Sequence, residues 1–502
     1  MRRDGKKTPS SNPNFIGVLE LDKALLQERL GKNSDVLFRE FKLKKSNVSC
    51  LLIFLNGLCN RKTIDKDILP VLLEPFDSDD LELLKLTGKI DFIKKYLLPI
   101  SEIKDTNSIE NVTSKILTGD AALLIDGCEN ALLLGIKEEK TRSIEEPPSE
   151  SVVRGPRLGF TESLSVNMGI LRNSAENKDL IMLELPVGKR AKKSLVISYL
   201  NEIVNPRLLE EIKRRINKID IDYVADSGYV EQLVEDNFLS PFPQVQSTER
   251  PDRVMAALME GRVAILLDGS PFALIAPVTF SMLLQSPDDY YERWIPGTLV
   301  RNLRLMAAII SLLGPSLYIS FISFHPGLIP TKLAMSIAGS REGVPFPAFI
   351  EALMMEISIE ILREAGLRLP KPIGQAIGIV GGLIIGEAAV RAGIVSSIMI
   401  IVVALTAISS FAIPQYNAGI ALRYLRFVSM IFAATLGLYG VTLFFLLLCS
   451  HLVRLESFGV PYTSPAVPFR FKDMKDFLIR APIAMMQRRP SILETKDPKR
   501  KK

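Results

Sequence analysis

Four long apolar runs stand together between Leu305 and Val453, in a chain whose remaining length is ordinarily charged. Leu305 to Phe324 holds no Asp, Glu, Lys, Arg or His over 20 residues; Ala392 to Leu422 gives 31 such residues, broken by Pro414, and Phe427 to Ser450 gives 24. Pro372 to Gly386 is shorter at 15 residues but continues past Glu387 towards Ala389. A helix that crosses a bilayer needs about 20 mostly apolar residues. The expectation is an integral membrane protein with spans near 303–325, 373–390, 393–413 and 427–452.

Charge divides the chain the same way. Segment 305–453 carries 14 of the 118 charged residues, so the rest is a charged, soluble sequence. The reading is an α/β head of two similar subdomains, 36–148 and 149–300. An all-α membrane domain follows at 301–455, with about four spanning helices plus an amphipathic or re-entrant helix. A basic N-terminus, 1–35, is expected to be disordered. Met1 to Phe15 has no apolar core of a signal peptide. Cys50, Cys59, Cys128 and Cys449 lack metal-ligand spacing and read as reduced structural thiols. Arg293, Arg301 and Arg304 precede the first run, and the basic tail 456–502 has 11 Lys/Arg against 4 Asp/Glu from Phe469 onward. Lys/Arg-rich flanks are cytoplasmic, so both termini are placed there. Segments 325–371 and 414–426 become outer loops, although Arg423 and Arg426 in the second fit poorly.

The head repeats itself at an offset of 142–145 residues. Gly119 to Gly127 aligns with Gly261 to Gly269, each a buried apolar strand ending on Asp-Gly, a strong hairpin signal. Ile53 to Asn60 matches Ser198 to Asn205. Equivalent hairpins at Asp126-Gly127 and Asp268-Gly269 follow as the expectation.

Chemistry is sparse. The sequence offers no phosphate loop, nucleophile elbow, HExxH helix or Cys/His set, so neither enzyme, metal site nor cofactor is expected. The informative polar residues lie on a helical stretch, Ala348 to Gly366, where Glu356, Glu360 and Glu364 recur every four residues and share a face. Such a helix either lies on the outer membrane surface with its carboxylates in water or lines an aqueous path. The path residues would be Glu351, Glu356 and Glu360, with Met355 and Ile359 closing it, and Arg363 is the one basic neighbour expected near them. Glu387, inside a span, is a functional candidate by default or one half of a helix-end pair with Arg391.

Four stretches resemble a known family: Arg154 to Glu162, Ser286-Pro287-Asp288-Asp289-Tyr290-Tyr291, Leu362 to Pro370, and Ser457 to Tyr462. Together they are similar to the A subunits of GerA-type spore germinant receptors, with a departure at Leu158, where that family usually has Glu. The resemblance implies a protein of the spore inner membrane that works with a permease-like B subunit and a lipoprotein C subunit. It implies a homo-oligomer, pentameric in that family, forming a nutrient-gated channel for monovalent cations, with lipid but no nucleic acid as a further partner. A stage V sporulation AF-like paralogue, a secondary transporter and a membrane scaffold are the alternatives.

Overall fold

The computed structural model describes residues 14–43, 48–74, 88–138, 146–147, 149–174, 179–370, 381–382 and 384–500. The first repeat comprises α1 (Leu19–Leu30), β1 (Val36–Lys42), β2 (Ser49–Leu55), β3 (Ile103–Thr106), α2 (Ile109–Leu117), β4 (Ala121–Ile125) and β5 (Ala131–Leu134). Its sheet runs β1-β2-β4-β5-β3. The second repeat comprises α3 (Leu164–Ser174), β6 (Leu180–Val187), β7 (Lys193–Leu200), α4 (Pro206–Asn217), α5 (Ser227–Val234), β8 (Gln246–Thr248), α6 (Pro251–Glu260), β9 (Val263–Leu267) and β10 (Ala273–Ala276). Its sheet runs β6-β7-β9-β10-β8, the same order strand for strand. All described pairings within the two sheets are antiparallel; short connections join β1–β2, β4–β5, β6–β7 and β9–β10, and longer connections bring the other neighbours together.

Local chemistry repeats with the topology. The hairpins β4–β5 and β9–β10 turn at Asp126-Gly127 and Asp268-Gly269, and each aspartate accepts a backbone N–H from the first residue of a helix. Leu19 of α1 donates to Asp126 at 3.2 Å and Leu164 of α3 to Asp268 at 3.3 Å. Asn60 and Asn205 each cap the helix that follows the second strand of its sheet. In α4, Leu208, Ile212 and Ile216 recur every four residues and turn one apolar face onto the sheet. The other face of that sheet is covered by α3 and α6, through Leu164, Met168, Leu171, Val254 and Leu258. Burial on both faces is why β9 and β10 are apolar at every position.

One boundary differs from the sequence reading. Residues 14–35, assigned to a disordered arm, hold α1, whose Leu26 and Leu30 lie in the first core. The two repeats meet at a buried pair: Arg172 of α3 donates to both oxygens of Asp35 at 3.1 Å, to Asn33 at 2.8 Å and to the Leu180 carbonyl at 2.7 Å.

The helical domain contains α7 (Trp294–Ser323), α8 (Thr331–Arg341), α9 (Ala348–Arg368), α10 (Ser397–Phe411) and α11 (Tyr416–Arg454). Two of these, α7 and α11, are long and apolar enough to cross a membrane. Four separate spans are not established. Helix α10 has 15 residues, about 22 Å against a hydrocarbon core of about 30 Å, and residues 371–380 of the second run lie outside the described residues.

Helix α11 is not one rod. Gly437 takes φ 60°, ψ −139°, which side chains disfavour. Phe432 and Phe444 pack ring to ring at 5.9 Å, where twelve residues of straight helix would separate them by about 18 Å. The chain therefore reverses at Gly437, giving antiparallel legs 416–436 and 438–454. A β-carbon at Gly437 would lie 2.8 Å from the Phe324 ring, so the turn sits beside the far end of α7. At the other end of the bundle, Gln415 donates to the Ser247 carbonyl at 3.0 Å and His451 meets Ser240 at 2.9 Å, both in the head. Segment 414–426 is thus on the head side, which overturns its assignment to an outer loop. The mismatch of Arg423 and Arg426 with that loop is explained: both are inside the bundle.

Candidate functional site

The acidic helix α9 lies within the bundle. Its N-terminal end packs against Ser396 at the start of α10, and its Arg363 reaches Ser410 near the end of α10 at 2.9 Å, so the two helices run parallel. The first leg of α11 crosses it in the opposite sense, pairing Arg423 with Glu360 and Arg426 with Glu356, each at 3.0 Å. Segment 325–371 is therefore not an outer loop throughout, and the surface-helix alternative does not describe α9.

Glu351, Glu356 and Glu360 each have a basic neighbour from another element. Glu351 is fully buried; it accepts the Ser396 backbone N–H at 2.7 Å and the Ser396 hydroxyl, and its second oxygen is 3.5 Å from Arg341 of α8. Glu356 is also buried, with Arg426 as its ion-pair partner. Glu360, at the edge, bridges Arg363 and Arg423. Glu364 is exposed and pairs with Arg368. A ladder of ion pairs thus replaces the single arginine expected near the acidic face. Removing one partner from a buried pair costs about 3–5 kcal/mol, since the other charge is left in a low-dielectric interior.

The apolar candidates divide. Met355 is buried among Ala352, Met399 and Val403, and Ile359 packs partly buried against the same cluster. The open face of α9 carries Ile357 and Ile361 instead. Glu387 and Arg391 form an exposed pair one helical turn apart, at 2.5 Å. Among the described residues, no group of three His, Cys, Asp or Glu is arranged to hold a metal ion.

A second polar cluster, read in the sequence only as a motif, joins head, bundle and tail. Asp289 pairs with Arg301 at 3.4 Å and Arg304 at 2.6 Å, both on the first turns of α7. Arg301 also holds Asp476 of the C-terminal tail at 2.9 Å, and the Tyr290 hydroxyl donates to the same carboxylate at 2.7 Å. Burial pushes the Asp476 carboxyl up, opposed by Arg301, and pushes the Tyr290 hydroxyl well above its ordinary value. The signal for this joint was the paired aspartates of Ser286 to Tyr291; its tail partners lie some 190 residues further on.

Comparison with known proteins decides the family. The model of the Bacillus/Clostridium GerA spore germination protein family matches residues 24–492. The chain belongs to that family. Spore germination protein GerLA of Bacillus cereus is 43% identical over 472 residues, covering 94% of this chain and 95% of that protein. The membrane protein YfkQ of Bacillus subtilis (strain 168) is 44% identical over 491 residues, 97% and 92% of the two chains. Spore germination protein KA of the same organism is 42% identical over 472 residues, 94% and 86%. The crystal structure of the N-terminal domain of the A subunit of the Bacillus megaterium spore germinant receptor GerK3 covers 54% of this chain and 98% of that one, at 29% identity and a TM-score of 0.40.

Proposed function

We propose that this chain is the A subunit of a nutrient germinant receptor in the spore inner membrane. In this reading it acts with a permease-like B subunit and a lipoprotein C subunit, and several copies surround a path that releases monovalent cations when nutrient binds. Both termini then face the cytoplasm, and the chain performs no catalysis.

The position of α9 carries the proposal. Two buried glutamates, Glu351 and Glu356, with Glu360 at the edge of the same apolar bundle, are an expensive arrangement, and intramembrane carboxylates are functional candidates by default. Glu351 and Glu356 are held by Arg341 and Arg426 and fix the helix in place. Glu360 stands at the rim, and Ile357 and Ile361 face outward from the protomer. Repeated around an axis, Glu360 becomes a ring whose carboxylates are shared with Arg363 and Arg423, and it favours cations where those pairs open towards the path. Ile357 and Ile361, rather than Met355 and Ile359, become the apolar constriction.

Cation release from spores after nutrient addition tests this. Glu360→Gln should slow release measured per receptor present, and Ile361→Ala should leak before nutrient arrives. Glu356→Gln, which strands Arg426, should lower abundance instead. Unchanged release in both Glu360→Gln and Ile361→Ala removes α9 from the ion path.

A further inference from the structure

Where the head meets the bundle there is a cavity of about 280 Å³. Arg253 and Arg304 line it together with Arg250, Glu150, exposed Ser151 and the α10 end Phe411–Pro414. Arg250 is committed to Asp252 and to the carbonyls of Glu150 and Pro156. Arg253 pairs with Glu150 and donates to the carbonyls of Met282 and Gln285. Arg304 differs: its described bond is from Nη1 to Asp289, one of the five N–H donors a guanidinium carries.

The position of the cavity matters as much as its charge. Arg304 immediately precedes the apolar run of α7, so it stands where that helix enters the hydrocarbon. The cavity's other wall is the head-side end of α10. Ile401, Leu405, Ile408 and Phe411 form an exposed apolar stripe along that helix, each more than half exposed. A basic recess at headgroup depth, continuous with an uncovered apolar track running into the bilayer, has the shape of one ligand: an anionic phospholipid.

We infer that this recess binds the headgroup phosphate of an anionic phospholipid from the leaflet on the head's side, with an acyl chain along the exposed stripe of α10. Arg304 supplies charge-assisted donors to the phosphate. The bound lipid bridges repeat two of the head to α7 and α10, beside the Asp289 joint that ties the head to α7. The inference rests on the membrane reading of α7 and α11.

The test uses the full chain in detergent, native mass spectrometry and short-chain phosphatidylglycerol, with phosphatidylcholine of equal length and inorganic phosphate as the other arms. Phosphatidylglycerol should bind in preference to phosphatidylcholine, and inorganic phosphate at the same concentration should not displace it. Ser151→Glu breaks no bond shown here and sets a negative charge at the recess. It should weaken phosphatidylglycerol binding about fivefold or more, the effect of one charge at a membrane surface, and Arg304→Gln should do the same. Equal binding of the two lipids, or full binding by Ser151→Glu with unchanged thermal stability, overturns the site. Displacement by inorganic phosphate overturns the lipid in favour of a free anion. Absence of the chain from the membrane fraction defeats the membrane reading itself, a separate failure.

Discussion

Replacing Asp35 by Ala should be among the most damaging single changes in the head. Its carboxylate and the Arg172 guanidinium are essentially inaccessible, and Arg172 donates four hydrogen bonds, two of them to Asp35. Truncating Asp35 leaves a buried guanidinium with Asn33 and the Leu180 carbonyl but no counter-charge, at a cost of about 3–5 kcal/mol. Removing both charges, as Asp35→Leu with Arg172→Met, takes away the stranded ion as well. The double variant should therefore lose much less than Asp35→Leu plus Arg172→Met added together. Pulse proteolysis of the full chain across a urea series reads the fraction unfolded directly. A cost under about 1 kcal/mol for Asp35→Ala, or a simply additive double variant, would show that the Asp35–Arg172 pair does not hold the two repeats together.

Three further outcomes follow from other parts of the molecule. Burial, reinforced by Glu235 and Asp226, pushes the Glu231 carboxyl up to about 7, beside Asn417 at the start of α11. With the folded value above the unfolded one, stability falls as pH rises from about 4.5 to about 7 and is flat beyond; Glu231→Gln should flatten that slope in pH-dependent unfolding. Gly437→Ala should reduce membrane abundance severalfold by immunoblot, since it forces alanine into a glycine conformation against Phe324. Burial pushes the Cys50 and Cys59 thiols up to about 12, so both should resist alkylation at pH 8 until the head unfolds, as read by peptide mass.

The duplicated hairpins were legible because Asp-Gly is a local signal and each copy carries its own. Helix α1 was not, because Asp22 sits at a buried position and interrupts the apolar pattern. There it accepts the backbone N–H groups of Ile16 and Gly17, both at 3.0 Å, a role no periodicity reveals. In the bundle, hydropathy located the apolar segments but not their directions. The reversal at Gly437 falls inside an unbroken apolar run, where the run's length argues for one straight span. Likewise the acidic face of α9 was visible as a spacing of four. Its partners Arg341, Arg423 and Arg426 come from helices whose placement only tertiary packing sets. That missing information made a neutralised ladder look like a row of free carboxylates.

In the proposed function, copies of this chain conduct cations along a path lined by α9. Single-channel recording of the chain reconstituted with its B and C partners tests it most directly. Nutrient-dependent unitary currents that favour potassium over chloride are expected, with that preference reduced in Glu360→Gln. Nutrient-driven cation release in spores, alongside a reconstituted complex that yields no unitary currents or passes chloride in preference, would contradict it.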